Sequence, residues 1–494
     1  MESRTLFLPN GMEAVEAKYT TMGIEEYDEN PYIQALPALC NKTEIIKNLI
    51  NIPQYKQEEC HLDSAIRMHL IHRLYKFYQP LPTHIKIWNM IDSLIRQGYL
   101  ARNPFDKNYR NFLHESGKSI INRNFEIATK NNFRTTSSTG TIIGFSGMGK
   151  TTTVNRVLSN IPQIIIHNEY RGYEFSQIQL TWLKLEAPHN ASLKALSLQY
   201  FMKLDELLGT NNFNKYVTRN LSLDAMLPLM GQAGQNVGLG LLVIDELQHL
   251  IGSNVNKIMN YFVTLINSFG IPVLFIGTPG AYPVFENELR IARRITGNGE
   301  VIWNNMSNDG EFGLFMEGMW KYQWLKEYMP LTRELIDVFY EETQGITDLV
   351  VKLFVNIQAQ SIELGKESIT IALVKSVAKE SFRAMKGMLD AIKSKNPYKI
   401  AKYDDIRTLE IKDENMVKSI SSGENKKVSG KTLTTNQMIE VTEQKKNNVT
   451  KSKEDKSYDI KDVRYIVSKA KTNNISVYQA LVDENYIDNM KIWE

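Results

Sequence analysis

The stretch Gly144-Phe145-Ser146-Gly147-Met148-Gly149-Lys150-Thr151 constrains this chain more than any other. It fits the pattern G-x-x-x-x-G-K-[ST], follows an apolar run at residues 141–146, and opens a helix-like stretch, KTTTVNRVL. Glycines at these spacings let the backbone curl until its N–H groups point inward at phosphate oxygens. The helix that follows adds the positive end of its dipole. Lys150 is then placed to bridge the β- and γ-phosphates, and the Thr151 hydroxyl to ligate Mg²⁺. The phosphate-binding set is these eight residues with Thr152, and the implied cofactors are ATP and Mg²⁺.

A second apolar run, Leu241-Leu242-Val243-Ile244, ends in Asp245-Glu246 about ninety residues after the loop. Such a run is a central buried strand that delivers two carboxylates to the ligand crevice. Asp245 is expected to hold Mg²⁺ through water, and Glu246 to orient and deprotonate the attacking water. A third run, Val273-Leu274-Phe275-Ile276-Gly277, ends at Thr278-Pro279. Thr278 is placed to sense the γ-phosphate, or is a strand terminated by a Thr-Pro turn. Soon after come Arg290, Arg293 and Arg294. In a ring-forming ATPase, arginines here reach the neighbouring subunit's γ-phosphate; a solvated basic face or a contact to phosphate backbone is the other reading. Loop, Asp-Glu, Thr, Arg and then helices is the order of the AAA+ class. The expected fold is an α/β P-loop NTPase of AAA+ type, a parallel sheet with flanking helices, with a helical N-terminal region and a helical lid.

Six regions follow along the chain. Residues 1–30 are polar and irregular, and read as a flexible arm. Residues 31–138 carry amphipathic stretches cut by Pro53, Pro80, Pro82 and Pro104. There Trp88, Ile91, Ile95 and the aromatics around Tyr75 read as core rather than ligand contacts. Residues 139–305 alternate strands (141–146, 163–167, 177–185, 240–245 and 272–277) with helices such as 192–208 and 254–269. Residues 306–393 read as helices at 311–327, 332–344, 348–363 and 371–388. Residues 394–457 are rich in Lys, Asn, Ser, Thr and Glu and nearly free of aromatics, the composition of a disordered, mildly basic linker. Residues 458–494 recover apolar periodicity as a short C-terminal module.

Composition excludes more than it selects. The 494 residues are 43% hydrophobic and 23% charged, and 58 Lys+Arg against 55 Asp+Glu leave only +3. So small an excess does not identify a nucleic-acid binder, although a local basic patch is compatible with it. Cys40 and Cys60 form no C-x-x-C pair, which argues against a disulfide framework or zinc site. No apolar run approaches the ~20 residues that span a bilayer, and no signal peptide is evident. The expectation is a cytoplasmic protein with no membrane partner.

The segment Trp182-Leu183-Lys184-Leu185-Glu186-Ala187-Pro188-His189-Asn190-Ala191-Ser192-Leu193-Lys194 resembles the stretch after the second strand in TnsC/TniB-type AAA+ regulators of bacterial Tn-type transposition. Leu247-Gln248-His249-Leu250, Gly277-Thr278-Pro279, Arg293-Arg294 and Val301-Ile302-Trp303 are similar as well, and so are Tyr32 to Pro37 and Gly98 to Pro104. The likeness runs over residues 31–390 and is nearer the TnsC type. It implies an ATP-dependent regulator that binds double-stranded DNA and assembles with itself as a ring or helical filament of about six or seven subunits per turn. It also implies transposase subunits (TnsA/TnsB-like) as partners of the C-terminal module, and a target selector (TnsD/TniQ-like) as partner of the N-terminal region. Lys184 and Lys194, near the family-specific segment, are the candidate DNA contacts. The lid departs from the AAA+ pattern: no arginine stands near Gly345–Leu349, where Lys352 is the available cation. A replication initiator or helicase loader on the same chassis is the alternative; no terminal helix-turn-helix domain of the kind initiators append is evident.

Overall fold

A computed structural model gives the fold. The chain divides into two compact units, Met1–Asp413 and Glu414–Glu494. The structure describes residues 4–122, 136–189, 191–216, 222–250, 255–282, 299–365 and 367–406, all in the first unit. The C-terminal module, most of the linker, and Arg290, Arg293 and Arg294 lie outside the described residues.

Nine strands are present among the described residues: β1 (Thr5–Phe7), β2 (Glu13–Glu16), β3 (Thr139–Gly144), β4 (Ile164–Tyr170), β5 (Tyr173–Leu180), β6 (Trp182–Glu186), β7 (Leu241–Asp245), β8 (Val273–Gly277) and β9 (Glu300–Trp303). Five of them form the central sheet in the order β6-β7-β8-β3-β9, every neighbouring pair parallel. β3, β7 and β8 are buried along their whole length, as their continuous apolar runs require. Alternate residues serve opposite cores. Ile142, Leu241, Val243, Leu274 and Ile276 face one. Ile143, Leu242, Ile244, Val273 and Phe275 face the other. The fold is an α/β P-loop NTPase of AAA+ type.

The second face is covered by helices Leu193–Leu208, Leu223–Asn236 and Val255–Phe269. The first is covered in part by the helix Lys150–Leu158 and by Pro82–Leu100, whose Ile87, Ile91 and Leu94 are fully buried. The helix Pro82–Leu100 of the helical N-terminal region is therefore part of one wall of the sheet's core. Gly140 shows how close the approach is: a Cβ there would stand 2.7 Å from Met90 Sδ and 2.8 Å from Leu94 Cδ1.

Four other expectations are corrected. The flexible arm expected at 1–30 is, over its described residues, tied into a sheet: β1 and β2 pair antiparallel and β2 adds parallel to β4 (Val15↔Ile165). Pairing satisfies backbone groups that the polar composition alone leaves unplaced. The run expected as one strand at 177–185 breaks at Thr181. Its first half is β5, antiparallel to β4 in a separate sheet ordered β1-β2-β4-β5, and its second half is β6 of the central sheet. The strand expected at 163–167 likewise belongs to the second sheet. Finally, residues 397–406 continue the ordered fold as the short helix Pro397–Ile400 and the turn Asp404–Ile406, with Ile406 buried.

The lid contains helices Gly310–Trp320, Arg333–Thr343, Thr347–Glu363, Ile371–Ser381 and Lys386–Ser394. It is tied to the N-terminal region by buried polar contacts. Arg67 grips Glu367 with two hydrogen bonds of 2.8 Å, and Trp324 donates to Glu59 at 2.9 Å. The Arg67 fork holds the Glu367 carboxyl down at about 2.

Two buried imidazoles make acid sensitivity testable. His84 accepts the Leu81 N–H at 2.7 Å, and His167 lies between the Tyr19 hydroxyl and Gln179, each at 2.8 Å. Burial pushes both down to about 4. Between pH 4 and 6.5 the unfolded chain binds protons that the folded chain refuses, so stability is full above pH 6.5 and falls toward pH 4. Each group contributes at most about 1.4 kcal/mol per pH unit in that window. The thermal midpoint should drop across it, and less steeply in His84→Gln. Parallel pH profiles for the two proteins would exclude His84 as a cause.

Candidate functional site

The strand order puts the C-terminal ends of β3, β8 and β7 side by side, so the three sequence signals meet at one edge. Gly144 ends β3 beneath the β9 backbone. A Cβ there would lie 2.2 Å from the Trp303 carbonyl oxygen, so no larger residue fits without moving β9. The loop then turns through Gly147 (φ +82) and Gly149 (φ +91), left-handed positions that favour glycine. Lys150 follows as the first residue of its helix, which aims the free N–H groups of that helix at the loop's hollow.

Lys150 is nearly buried, and its ammonium donates to the carbonyls of Gly144 (2.8 Å) and Phe145 (2.9 Å). Burial lowers its pKa, and Glu246, Asp245 and Asp405 act against that shift. The Thr151 hydroxyl donates to Asp245 at 2.9 Å, across from β3 to β7. Asp245 is buried. Glu246 follows in a left-handed conformation (φ +56), its N–H donating to Asp245 Oδ1 at 2.9 Å. Glutamate rarely adopts this backbone, and the turn lifts its carboxylate out of the strand direction.

Two residues join these parts. Gln248 donates its amide to the Glu246 carboxylate, and its carbonyl accepts the Thr278 N–H at 3.1 Å. Thr278, just past the end of β8, has a buried hydroxyl without a hydrogen-bond partner among the described residues. A buried hydroxyl left unpaired at a ligand edge is a group waiting for a polar partner. Lys184, on β6, places its ammonium 2.9 Å from Asp245 Oδ2 and 2.9 Å from Asn155 Oδ1.

A cavity of about 410 Å³ opens over this edge. Ser146 to Thr152, Asp245, Glu246, Gln248 and Thr278 line its polar side. Tyr75, Phe77, Tyr78, Leu81 and His84 line another wall, with Phe315 and Val351 from the lid, and Asp405 stands at its border. The volume and mixed lining suit a nucleotide. The lid touches the loop directly: Asp348 N–H donates to the Gly147 carbonyl at 3.0 Å. The glycine cradle, the lysine, the Thr151–Asp245 pair and the unpaired Thr278 hydroxyl fit a magnesium nucleotide. No cluster of three or more metal-ligating side chains occurs among the described residues.

The structure thus brings together Gly144 to Thr152, Asp245, Glu246 and Thr278. It does not leave Lys184 free for DNA, since that side chain is turned onto Asp245 and is only 18% exposed. Lys194 is exposed on its helix. Lys352 does not reach the cavity and instead pairs with Asp348 at 2.6 Å. The aromatics at Tyr75, Phe77 and Tyr78, expected as core, are cavity wall; Tyr75 is half exposed. Gln248 was legible as the second residue after Asp-Glu, but its bridge to Thr278 needs the β7–β8 adjacency.

No curated protein matches the chain. Among solved structures, the Aeropyrum pernix ORC1 protein in complex with DNA is similar at 13% identity and a TM-score of 0.34, over 78% of this chain and 94% of that one. Drosophila ORC bound to DNA is similar at 10% identity and 0.33, over 81% and 80%. Domain III of the Thermotoga maritima replication initiation protein DnaA is similar at 14% and 0.29, over 56% and 92%. No helix among the described residues is long and apolar enough to cross a membrane. Residues 134–285, which hold the loop, the acidic pair and Thr278, match the AAA domain model.

Proposed function

We propose that this chain is a regulatory ATPase that assembles with itself on double-stranded DNA in its ATP-bound form and is released by hydrolysis. The observation that supports it most is the meeting of Lys150, Thr151–Asp245, Glu246 and Thr278 at one lid-covered edge. Lys150 and the loop N–H groups hold the β- and γ-phosphates. Thr151 and Asp245 would hold Mg²⁺, which when bound neutralises phosphate charge. Glu246 takes the proton of the attacking water, and Thr278 donates to the γ-phosphate.

Two finer readings share this chassis. The resemblance carried by residues 182–194 and 247–250 supports a transposition regulator that links a TnsD/TniQ-like selector to TnsA/TnsB-like transposase subunits. A replication initiator or helicase loader is the other; one of the similar solved structures is titled as part of a replication initiation protein. Genes flanking this one separate them: a transposase supports the first, and a replicative helicase or its loader the second. In both, Arg293 or Arg294 acts on the neighbouring subunit's ATP, and Lys194 contributes to phosphate-backbone contact.

The assembly is tested by sedimentation on duplex DNA with ATP, a slowly hydrolysed analogue, or ADP. Large complexes should form with the first two only, on any sequence, and weaken with salt. Mixing Arg293→Ala/Arg294→Ala protein with Lys150→Ala protein should recover part of the hydrolysis that each lacks alone. A mixture that co-assembles and stays inactive would remove the arginines from the mechanism. Assembly indifferent to nucleotide would remove the proposal itself.

A further inference from the structure

Asp245 is the residue expected to hold Mg²⁺, yet its carboxylate already faces a fixed cation. Lys184 Nζ stands 2.9 Å from Asp245 Oδ2, the oxygen that also accepts the Thr151 hydroxyl at 2.9 Å. The lysine comes from β6, the neighbour of β7, in a register that sets Lys184 beside Val243 and Glu186 beside Asp245. Its second acceptor, Asn155 Oδ1 at 2.9 Å, lies one turn beyond Thr151 on the helix that starts at Lys150. The ammonium therefore links the sheet to the phosphate-binding helix while it occupies the same acidic oxygen that accepts the Thr151 hydroxyl. Asp245 is only 3% exposed, so water screens this pair weakly.

We propose that Lys184 is a positioning residue of the magnesium centre: it pins the Asp245 carboxylate and, as a positive charge beside the metal position, sets how much Mg²⁺ the nucleotide site requires. A divalent ion bound there would share the Asp245 carboxylate with the ammonium, and two positive charges close together oppose each other. The site is tuned to need more magnesium than an Asp245 without a basic neighbour would need. Assembly thereby becomes responsive to free Mg²⁺ as well as to ATP. This inference rests on the nucleotide-site reading above.

The test uses the full chain with a slowly hydrolysed ATP analogue and Mn²⁺ as a paramagnetic probe, bound metal being read by electron paramagnetic resonance. Lys184→Met should bind Mn²⁺ on the order of tenfold more tightly than wild type, while Lys184→Arg, which keeps the charge, stays near wild type. Lys184→Gln keeps a donor toward Asp245 and guards against a folding defect; it should shift in the same direction as Lys184→Met. If both neutral variants bind the analogue but hold Mn²⁺ no more tightly than wild type, the proposal fails and Lys184 is a structural strut. If wild type binds no analogue with or without metal, the nucleotide-site reading fails instead, and the two outcomes are distinct. An equal shift in Lys184→Arg would also overturn the proposal, because charge would not be the cause.

Discussion

Replacing Lys150 by alanine should raise the dissociation constant for ATP on the order of a hundredfold to a thousandfold and abolish assembly on DNA. The ammonium is held at the loop by the Gly144 and Phe145 carbonyls, 2.8 and 2.9 Å away, in a nearly buried position. Those carbonyls orient the charge before nucleotide arrives, so little ordering cost falls on binding. A desolvated contact between a fixed cation and phosphate is worth about 3–4 kcal/mol, which corresponds to that range. The loop N–H groups survive the mutation, so some affinity for the phosphates should remain. Lys150→Arg should fail nearly as badly, because a planar fork does not fit the point position that two carbonyls define. A labelled-nucleotide titration measures both, and a thermal midpoint near that of wild type shows that the fold persists. Unchanged affinity in Lys150→Ala would remove the P-loop assignment and everything built on it.

Local chemistry explains how much of this was legible in the sequence. The loop, Asp245-Glu246 and Thr278 each sit directly after an apolar run, and a strand buried on both faces can end only at the sheet's edge. That is why β3, β7 and β8 were placed closely in the chain. What was not legible depends on contacts across long sequence separations. The second sheet joins residues 5–16 to β4, about 150 positions later, and no periodicity in so short a polar stretch announces it. The break at Thr181 divides one apolar-polar run between two sheets, because β5 follows β4 in a hairpin while β6 must reach β7. Lys184 alternates with apolar neighbours and reads as an outward basic residue, but its partner Asp245 is on another strand. Tyr75, Phe77 and Tyr78 have the hydrophobicity of core; only the position of the lid turns them into cavity wall.

Changing Glu246 to glutamine should leave ATP bound and lower hydrolysis by about a hundredfold or more, the usual scale for loss of a general base. The substitution keeps size and shape, so the left-handed turn at φ +56 and the N–H bond to Asp245 are retained. An amide cannot take a proton from water. It also meets Gln248 differently: the carboxylate accepts from the Gln248 amide, and a glutamine side chain must turn its own oxygen toward that donor to keep the bond. Gln248 holds Thr278 N–H with its other end, so Thr278 should stay in register in the variant. Complexes on DNA should accordingly outlive those of wild type, since in the proposed cycle formation needs binding and dissolution needs hydrolysis. Phosphate release and complex lifetime are followed in the same preparation. Loss of turnover together with long-lived complexes is the expected pair. Unchanged turnover would mean that another group activates the water. Lost turnover with short-lived complexes would mean that hydrolysis does not drive release, and the proposed switch would lose its link to Glu246.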